Sequence, residues 1–221
     1  QSKRMFPLDY SHLDDEGIRM FGKETYEAIR GLWSPGGYQG HTVPDYFRLL
    51  DRGIGGRLED VRKYAANTVD EKKLQLYRAM EIVLRGMQKH IIIYADACEK
   101  KAEGCDGEKA ERFRAAAANC RFISENAPET LYQAAQLVWF FSLWDWVDCV
   151  GRLDQYLYPF YLRSLETGDE FSCEDIMSAL IMKFMEHGVH NIPLGGVKPE
   201  DGTDATNDLS FMVLQICRCL H

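Results

Sequence analysis

The sequence predicts a mainly α-helical chain with one or two short strands, and three observations point there. Apolar residues recur every three or four positions over long stretches, the spacing of one helix face. Helix-start chemistry stands ahead of several of these stretches: Thr68-Val69-Asp70-Glu71, Pro128 and Ser172-Cys173-Glu174-Asp175. One extended segment with paired glycines, Asn191–Val197, breaks the helical pattern.

Taken in order, Ser34–Gly40 is a Gly/Pro-rich loop, and a short helix is expected from about Pro44. Thr68 and Glu71 form a capping box that opens a long helix with a stripe at Tyr77, Met80, Leu84, Met87, Ile91, Tyr94 and Cys98. The Gly104–Gly107 turn ends it. A second helix over about 108–124, apolar at Phe113, Ala116, Ala117, Cys120 and Ile123, returns as a helical hairpin. Pro128 starts a third helix that is apolar on nearly all sides by Phe141, hence deeply buried. Residues 151–161 mix Arg152, Asp154, Gln155 and three tyrosines with apolar positions. Such a mixture belongs at the edge of a core, where each buried polar group needs a partner. Ser172 caps a further helix ending near Gly188; an extended segment follows at Asn191–Val197, then a loop at Asp201–Asp204 and a terminal helix.

A 46% hydrophobic content suffices for a packed core, and a net charge of −8 argues against nucleic acid or an anionic membrane surface as partner. Seven cysteines at irregular spacing, none in a CxxC pair, fit reduced thiols and a cytoplasmic protein. The longest apolar run, Ala134–Leu143, is too short to span a bilayer. The chain starts at Gln1 and stops at His221 within an apolar helical run, so a fragment is expected.

Local motifs exclude more than they assign. GxGxxG, Walker, HExxH and GxSxG patterns are missing. His187 and His190 lie three apart beside Glu186, but no Glu precedes any His by three, so the ferritin-type di-iron set is incomplete. A metal or redox protein using His187, His190, Cys217 and Cys219 is the least favoured reading, and no metal site is assigned. Cys105, in the Gly104–Gly107 turn, has no general base beside it in sequence.

Four collinear segments carry a resemblance: Gly40–Tyr46 with Leu50 and Gly53; Asn126-Ala127-Pro128-Glu129-Thr130 leading to Gln133–Phe140; Gly151–Tyr161; and Gly195-Gly196 with Asp201–Ser210. Together they resemble the glycyl radical enzymes of the pyruvate formate-lyase-like branch, which holds diol and hydroxyproline dehydratases, choline and isethionate lyases and arylacetate decarboxylases. The resemblance runs from about Phe6 onward. It implies the N-terminal part of a ten-stranded α/β barrel, with residues 1–40 an N-terminal helix and loop, 41–150 a helical layer and 151–221 the first barrel elements. In this anaerobic chemistry an activating enzyme with an iron–sulfur cluster and S-adenosylmethionine takes hydrogen from a glycine. A cysteine thiyl then abstracts hydrogen from substrate.

The chain departs from the family in lacking Gly-Cys-x-Glu and Arg-Val-x-Gly-Tyr segments. No catalytic residue is therefore assigned, no cofactor is expected to be bound, and the glycyl radical is expected on a glycine outside the chain. The implied partners are the remainder of the barrel, in the same or a separate chain, the activating enzyme, and a second copy in a homodimer. An inactive helical scaffold derived from the family is the alternative. His41 matches a histidine that reaches the substrate hydroxyl in the diol dehydratases; equally, it reads as a cap for the helix near Pro44. Trp144–Val150 stands where dehydratases carry a polar Asn-Gly-His-Ser-like segment, which makes Asp145, Trp146, Asp148 and Cys149 pocket candidates, with core packing the other reading of the tryptophans. Arg152, Asp154, Gln155, Gly195, Gly196 and Asn207 form the structural family motif, with Arg152 and Asp154 expected in ion pairs.

Overall fold

The computed structural model describes Lys23 and residues 43–145, 149–189 and 191–220. From residue 43 on, eight helices are described: α1 Tyr46–Ala66, α2 Glu71–Glu103, α3 Gly107–Glu125, α4 Leu131–Asp145, α5 Leu153–Tyr156, α6 Tyr158–Thr167, α7 Cys173–His187 and α8 Asp208–Cys219.

The helix expected near Pro44 is longer than its sequence suggests. Asp45 caps α1, its Oδ1 accepting the Arg48 amide at 3.1 Å, and the helix runs 21 residues with a break at Gly53 (φ 62°). Three glycines in four residues, Gly53, Gly55 and Gly56, hide it from propensity. They are there for contact: a Cβ at Gly55 would stand 1.9 Å from the Glu125 carbonyl oxygen, and one at Gly53 would stand 2.5 Å from that of Asn126. Thus α1 lies directly on the C-terminal turn of α3.

Helices α2 and α3 form the expected hairpin. Gln88 meets the Ser124 carbonyl, Asp96 and Glu99 take Arg121, and Lys101 lies over Phe113, a pairing that runs in opposite directions along the two helices. The start of α2 differs from the sequence reading. Asp70 is the N-cap, accepting the Lys72 amide at 2.9 Å and that of Lys73 at 3.3 Å, while Thr68 accepts the Asp70 amide one step earlier. A carboxylate satisfies two orphan donors and complements the positive helix end, so it displaces the threonine. Of the predicted stripe, Ile91 is fully buried, Met80 is 42% exposed, and the others are half-buried.

Helix α4 is deeply buried among the described residues, as its all-round apolarity predicts: Leu131, Ala134, Ala135, Leu137, Val138, Phe140 and Ser142 are buried. It starts at Leu131 rather than Pro128. Thr130 Oγ1 accepts the Gln133 amide (3.3 Å) and Gln133 Oε1 accepts the Thr130 amide (3.4 Å), a capping box spread over Thr130–Gln133. The Leu131 and Tyr132 amides go to Ser164 Oγ and Asp169 Oδ2, each at 3.0 Å, so the first turn is satisfied by the far end of α6.

Residues 151–161, expected among the first barrel elements, form α5 and the start of α6, with Gly151, Arg152 and Leu157 outside the two helices. Among the described residues there is no β-strand of more than an isolated bridge. Pairing is confined to two isolated bridges, Cys149 with Asn191 in parallel and Val197 with Asp204 antiparallel. Of the two forms the sequence allows for Asn191–Val197, a short strand or an extended segment, the second is found, bonded through Val150 N to Asn191 O (3.3 Å) and Ala205 N to Gly196 O (2.9 Å). Ser172 caps α7 and left-handed Gly188 ends it, as read from the sequence.

Candidate functional site

Three pieces of chain meet at Asp154: the short helix α5, the extended segment at 194–197 and the first turn of α8. The Asp154 side chain is fully buried. Its Oδ2 accepts the Gly195 amide at 2.7 Å and the Ser210 hydroxyl, while its main-chain carbonyl accepts Asn207 Nδ2 at 3.0 Å. Asn207 and Ser210 also cap each other, Asn207 Oδ1 taking the Ser210 amide and Ser210 Oγ the Asn207 amide. One carboxyl group thus holds a loop and a helix start at the same oxygen; its Oδ1 is buried without a hydrogen-bond partner.

The neighbours complete the clamp. Gln155 Nε2 donates to Ala205 O at 2.8 Å, and Arg152 Nη1 donates to Val197 O at 2.9 Å. Arg152 and Asp154 therefore do not pair with each other: the folded-over loop offers a carbonyl to the guanidinium and an amide to the carboxyl, and each side chain takes the complementary backbone group. The glycine pair works at short range too. At Gly195 (φ 63°) a Cβ would lie 2.8 Å from Thr206 Oγ1, and at Gly196 (φ 91°) one would lie 3.3 Å from Arg152 Nη1, so the close approach is by side chains rather than by another backbone. Beneath the clamp, Tyr156 donates to Val150 O at 2.8 Å and stacks on Tyr46 at 4.9 Å. Burial, helped by Tyr46, Cys149 and Asp154, pushes the Tyr156 phenol well above its ordinary value, so it stays a hydrogen-bond donor.

The C-terminal half of α4 carries the second concentration of polar and aromatic groups. Trp144 Nε1 donates to His90 Nδ1 at 2.5 Å, in a cluster with Tyr94, Phe140 and Phe141. On the other side of α4, Trp139 meets His187 edge-on, and His187 Nε2 lies 3.2 Å from Ser142 O. Burial holds His90 below the usual histidine value. Sequence reasoning passed over His90; its place between Met87 and Tyr94 on the helix stripe was the available signal.

Of the pocket candidates, Cys149 is described: half-buried, with Sγ accepting the Gly151 amide at 3.4 Å. Asp145 closes α4, but its side chain, together with His41, Trp146 and Asp148, lies outside the described residues, as does His190. Among the described residues no group of three or more His, Cys, Asp or Glu is placed to hold a metal ion, and no helix is long and apolar enough to cross a membrane.

With the clamp and the aromatic end of α4 in view, the comparisons with known proteins are specific. The pyruvate formate lyase-like family model matches residues 16–221. The trans-4-hydroxy-L-proline dehydratase of Clostridioides difficile is 30% identical over 214 residues, covering 80% of this chain and 26% of that protein. The isethionate sulfite-lyase of Bilophila wadsworthia is 30% identical over 207 residues, covering 78% and 25%. A glycyl radical enzyme of Archaeoglobus fulgidus superposes with a TM-score of 0.70 at 26% identity, over 81% of this chain and 27% of that one. The chain belongs to the pyruvate formate lyase-like family of glycyl radical enzymes. It spans about a quarter of the length of the curated relatives it matches.

Proposed function

We propose that this chain is the N-terminal portion of a glycyl radical lyase, dehydratase or decarboxylase, with residues 41–150 its helical layer and 151–221 its first barrel elements. The observation that carries the reading is the family match over residues 16–221, joined to relatives named as a dehydratase and a sulfite-lyase. Both kinds of reaction break a bond next to a carbon from which hydrogen has been taken. The radical glycine and the thiyl cysteine belong to segments absent from this sequence, and the remainder of the barrel supplies them.

The chain's own contribution is positional. The Asp154 clamp fixes the extended segment 191–197 and, through Tyr156 and Val150, the parallel contact of Cys149 with Asn191, which supports this point as the proposed start of a barrel strand. His41, Asp145, Trp146, Asp148 and Cys149 are the residues proposed to face substrate. Leu165 on α6, Met185 on α7 and Phe211 on α8 are respectively 59%, 57% and 63% exposed, and each is an apolar side chain for the remainder of the barrel to cover. A radical S-adenosylmethionine activating enzyme and a second copy of the assembled protein are the further partners.

The test is to express the chain together with the remainder of its barrel and a radical S-adenosylmethionine activase under strict anaerobiosis. An oxygen-sensitive organic radical in the electron paramagnetic resonance spectrum is expected. A correctly folded assembly that forms none with an activase competent on a relative would refute the proposal.

A further inference from the structure

An indole N–H can only donate, so the short contact between Trp144 and His90 fixes the state of the imidazole: Nδ1 is deprotonated and accepts, and in the neutral ring Nε2 carries the proton. This contact joins the middle of α2 to the last turn of α4, 54 residues apart in sequence. Immediately beyond Trp144 comes the stretch 145–149, which holds four of the five residues proposed to face substrate. Among the described residues, the aromatic rings that meet the imidazole are those of Tyr94 from α2 and of Phe140 and Trp144 from α4; the Tyr94 phenol is the titratable one among these rings. Phe140 and Trp144 stack at 5.9 Å and Phe141 packs edge-on against Trp144, so the indole ring is held on its faces by apolar contacts and at its polar edge by His90.

We propose that His90 is a positioning residue that latches the last turn of α4, with its neutral imidazole accepting Trp144 Nε1–H and thereby fixing the point on α4 from which residues 145–149 leave. The assignment of that stretch to substrate rests on the reading under Proposed function; the latch itself does not. Acid opens it: a proton on Nδ1 replaces the acceptor lone pair by a second N–H, two donors then face each other, and the indole edge must move. Burial of the imidazole keeps the latch closed to lower pH than an exposed histidine would.

The experiment is a ¹⁹F NMR titration of the full protein carrying this chain, labelled with 5-fluorotryptophan, between about pH 8 and pH 5, with the Trp144 resonance assigned by its loss in Trp144→Phe. In the parent protein the resonance is expected to shift in one transition centred below the ordinary histidine value of 6.5. His90→Gln, whose amide oxygen accepts a hydrogen bond but does not titrate, should hold the resonance near its neutral-pH position throughout. His90→Phe, which packs but cannot accept, should hold it away from that position at every pH. A parent resonance that does not move, or an identical transition in His90→Gln, overturns the proposal. No radical or substrate enters this measurement, so a titrating latch in a protein that forms no radical would refute the enzymatic reading alone, and an active protein without the transition would refute the latch alone.

Discussion

Removing the Asp154 carboxyl tests whether the clamp is the device that organises the chain from 150 onward. In Asp154→Ala two buried donors, the Gly195 amide and the Ser210 hydroxyl, lose the oxygen they share. Each stranded donor costs about 1–3 kcal/mol. Set against this is the relief of no longer burying Oδ1, which has no partner, so a net loss of about 2–4 kcal/mol is expected. Asp154→Asn should cost about 1 kcal/mol, because its carbonyl oxygen can take the Oδ2 place and its amide the unpartnered one. Ser210→Ala removes one donor to Asp154 and one acceptor of the Asn207 amide, about 1–2 kcal/mol. Since Ser210→Ala deletes one of the donors that Asp154→Ala strands, the double variant should fall short of additivity by about 1 kcal/mol. Equilibrium urea unfolding followed by far-UV circular dichroism gives these values from midpoint shifts at constant slope. An Asp154→Ala protein within about 0.5 kcal/mol of the parent, an asparagine variant worse than the alanine one, or strict additivity with Ser210→Ala would refute the clamp.

Gly55→Ala should destabilise by about 2 kcal/mol or more, or prevent folding, because its Cβ would meet the Glu125 carbonyl, whereas Gly86→Ala, with nothing within 4 Å, should be neutral or slightly stabilising; thermal melts separate the two. Cys120 is buried and its thiol is pushed up to about 12, mainly by burial, so it should resist iodoacetamide at about pH 8 in the folded protein while exposed Cys219 is alkylated; peptide mass mapping that finds Cys120 modified first would contradict the packing. The unfolded chain protonates His90 at a higher pH than the folded one does. Stability owed to this group is therefore complete above about pH 6.5 and declines as pH falls from there toward the folded value. His90→Gln should flatten that part of a stability-against-pH curve, and an unchanged slope would count against it.

Most helices were legible because their signals are local. Ser172 and Gly188 bound α7 by capping chemistry contained in a few residues, and the hairpin of α2 and α3 follows from two apolar stripes and the turn between them. Where competing local signals stood side by side, the sequence reading chose less well: Thr68 and Asp70 are both good caps, and the carboxylate took the helix. The break in α1 was illegible for the opposite reason. Gly53 and Gly55 weaken a helix by propensity, and only the backbone of Glu125 and Asn126, 70 and more residues away, shows why they are tolerated.

The same distinction explains residues 151–161. Their composition correctly announces buried polar groups needing partners, yet cannot say which partners, since these lie at Gly195, Val197, Ala205, Asn207 and Ser210. An ion pair between Arg152 and Asp154 was the local solution. The fold uses a non-local one: backbone carbonyl and amide groups, with the Ser210 hydroxyl, satisfy each side chain where it lies, without aligning two charged groups in a site where desolvation would offset their attraction. A consequence is geometric. Because each of these bonds ends on the backbone of 195–205 or on the cap of α8, α5 and the arginine before it tie the extended segment and the first turn of α8 to one another, through main-chain groups at Gly195, Val197 and Ala205 and side chains at Asn207 and Ser210.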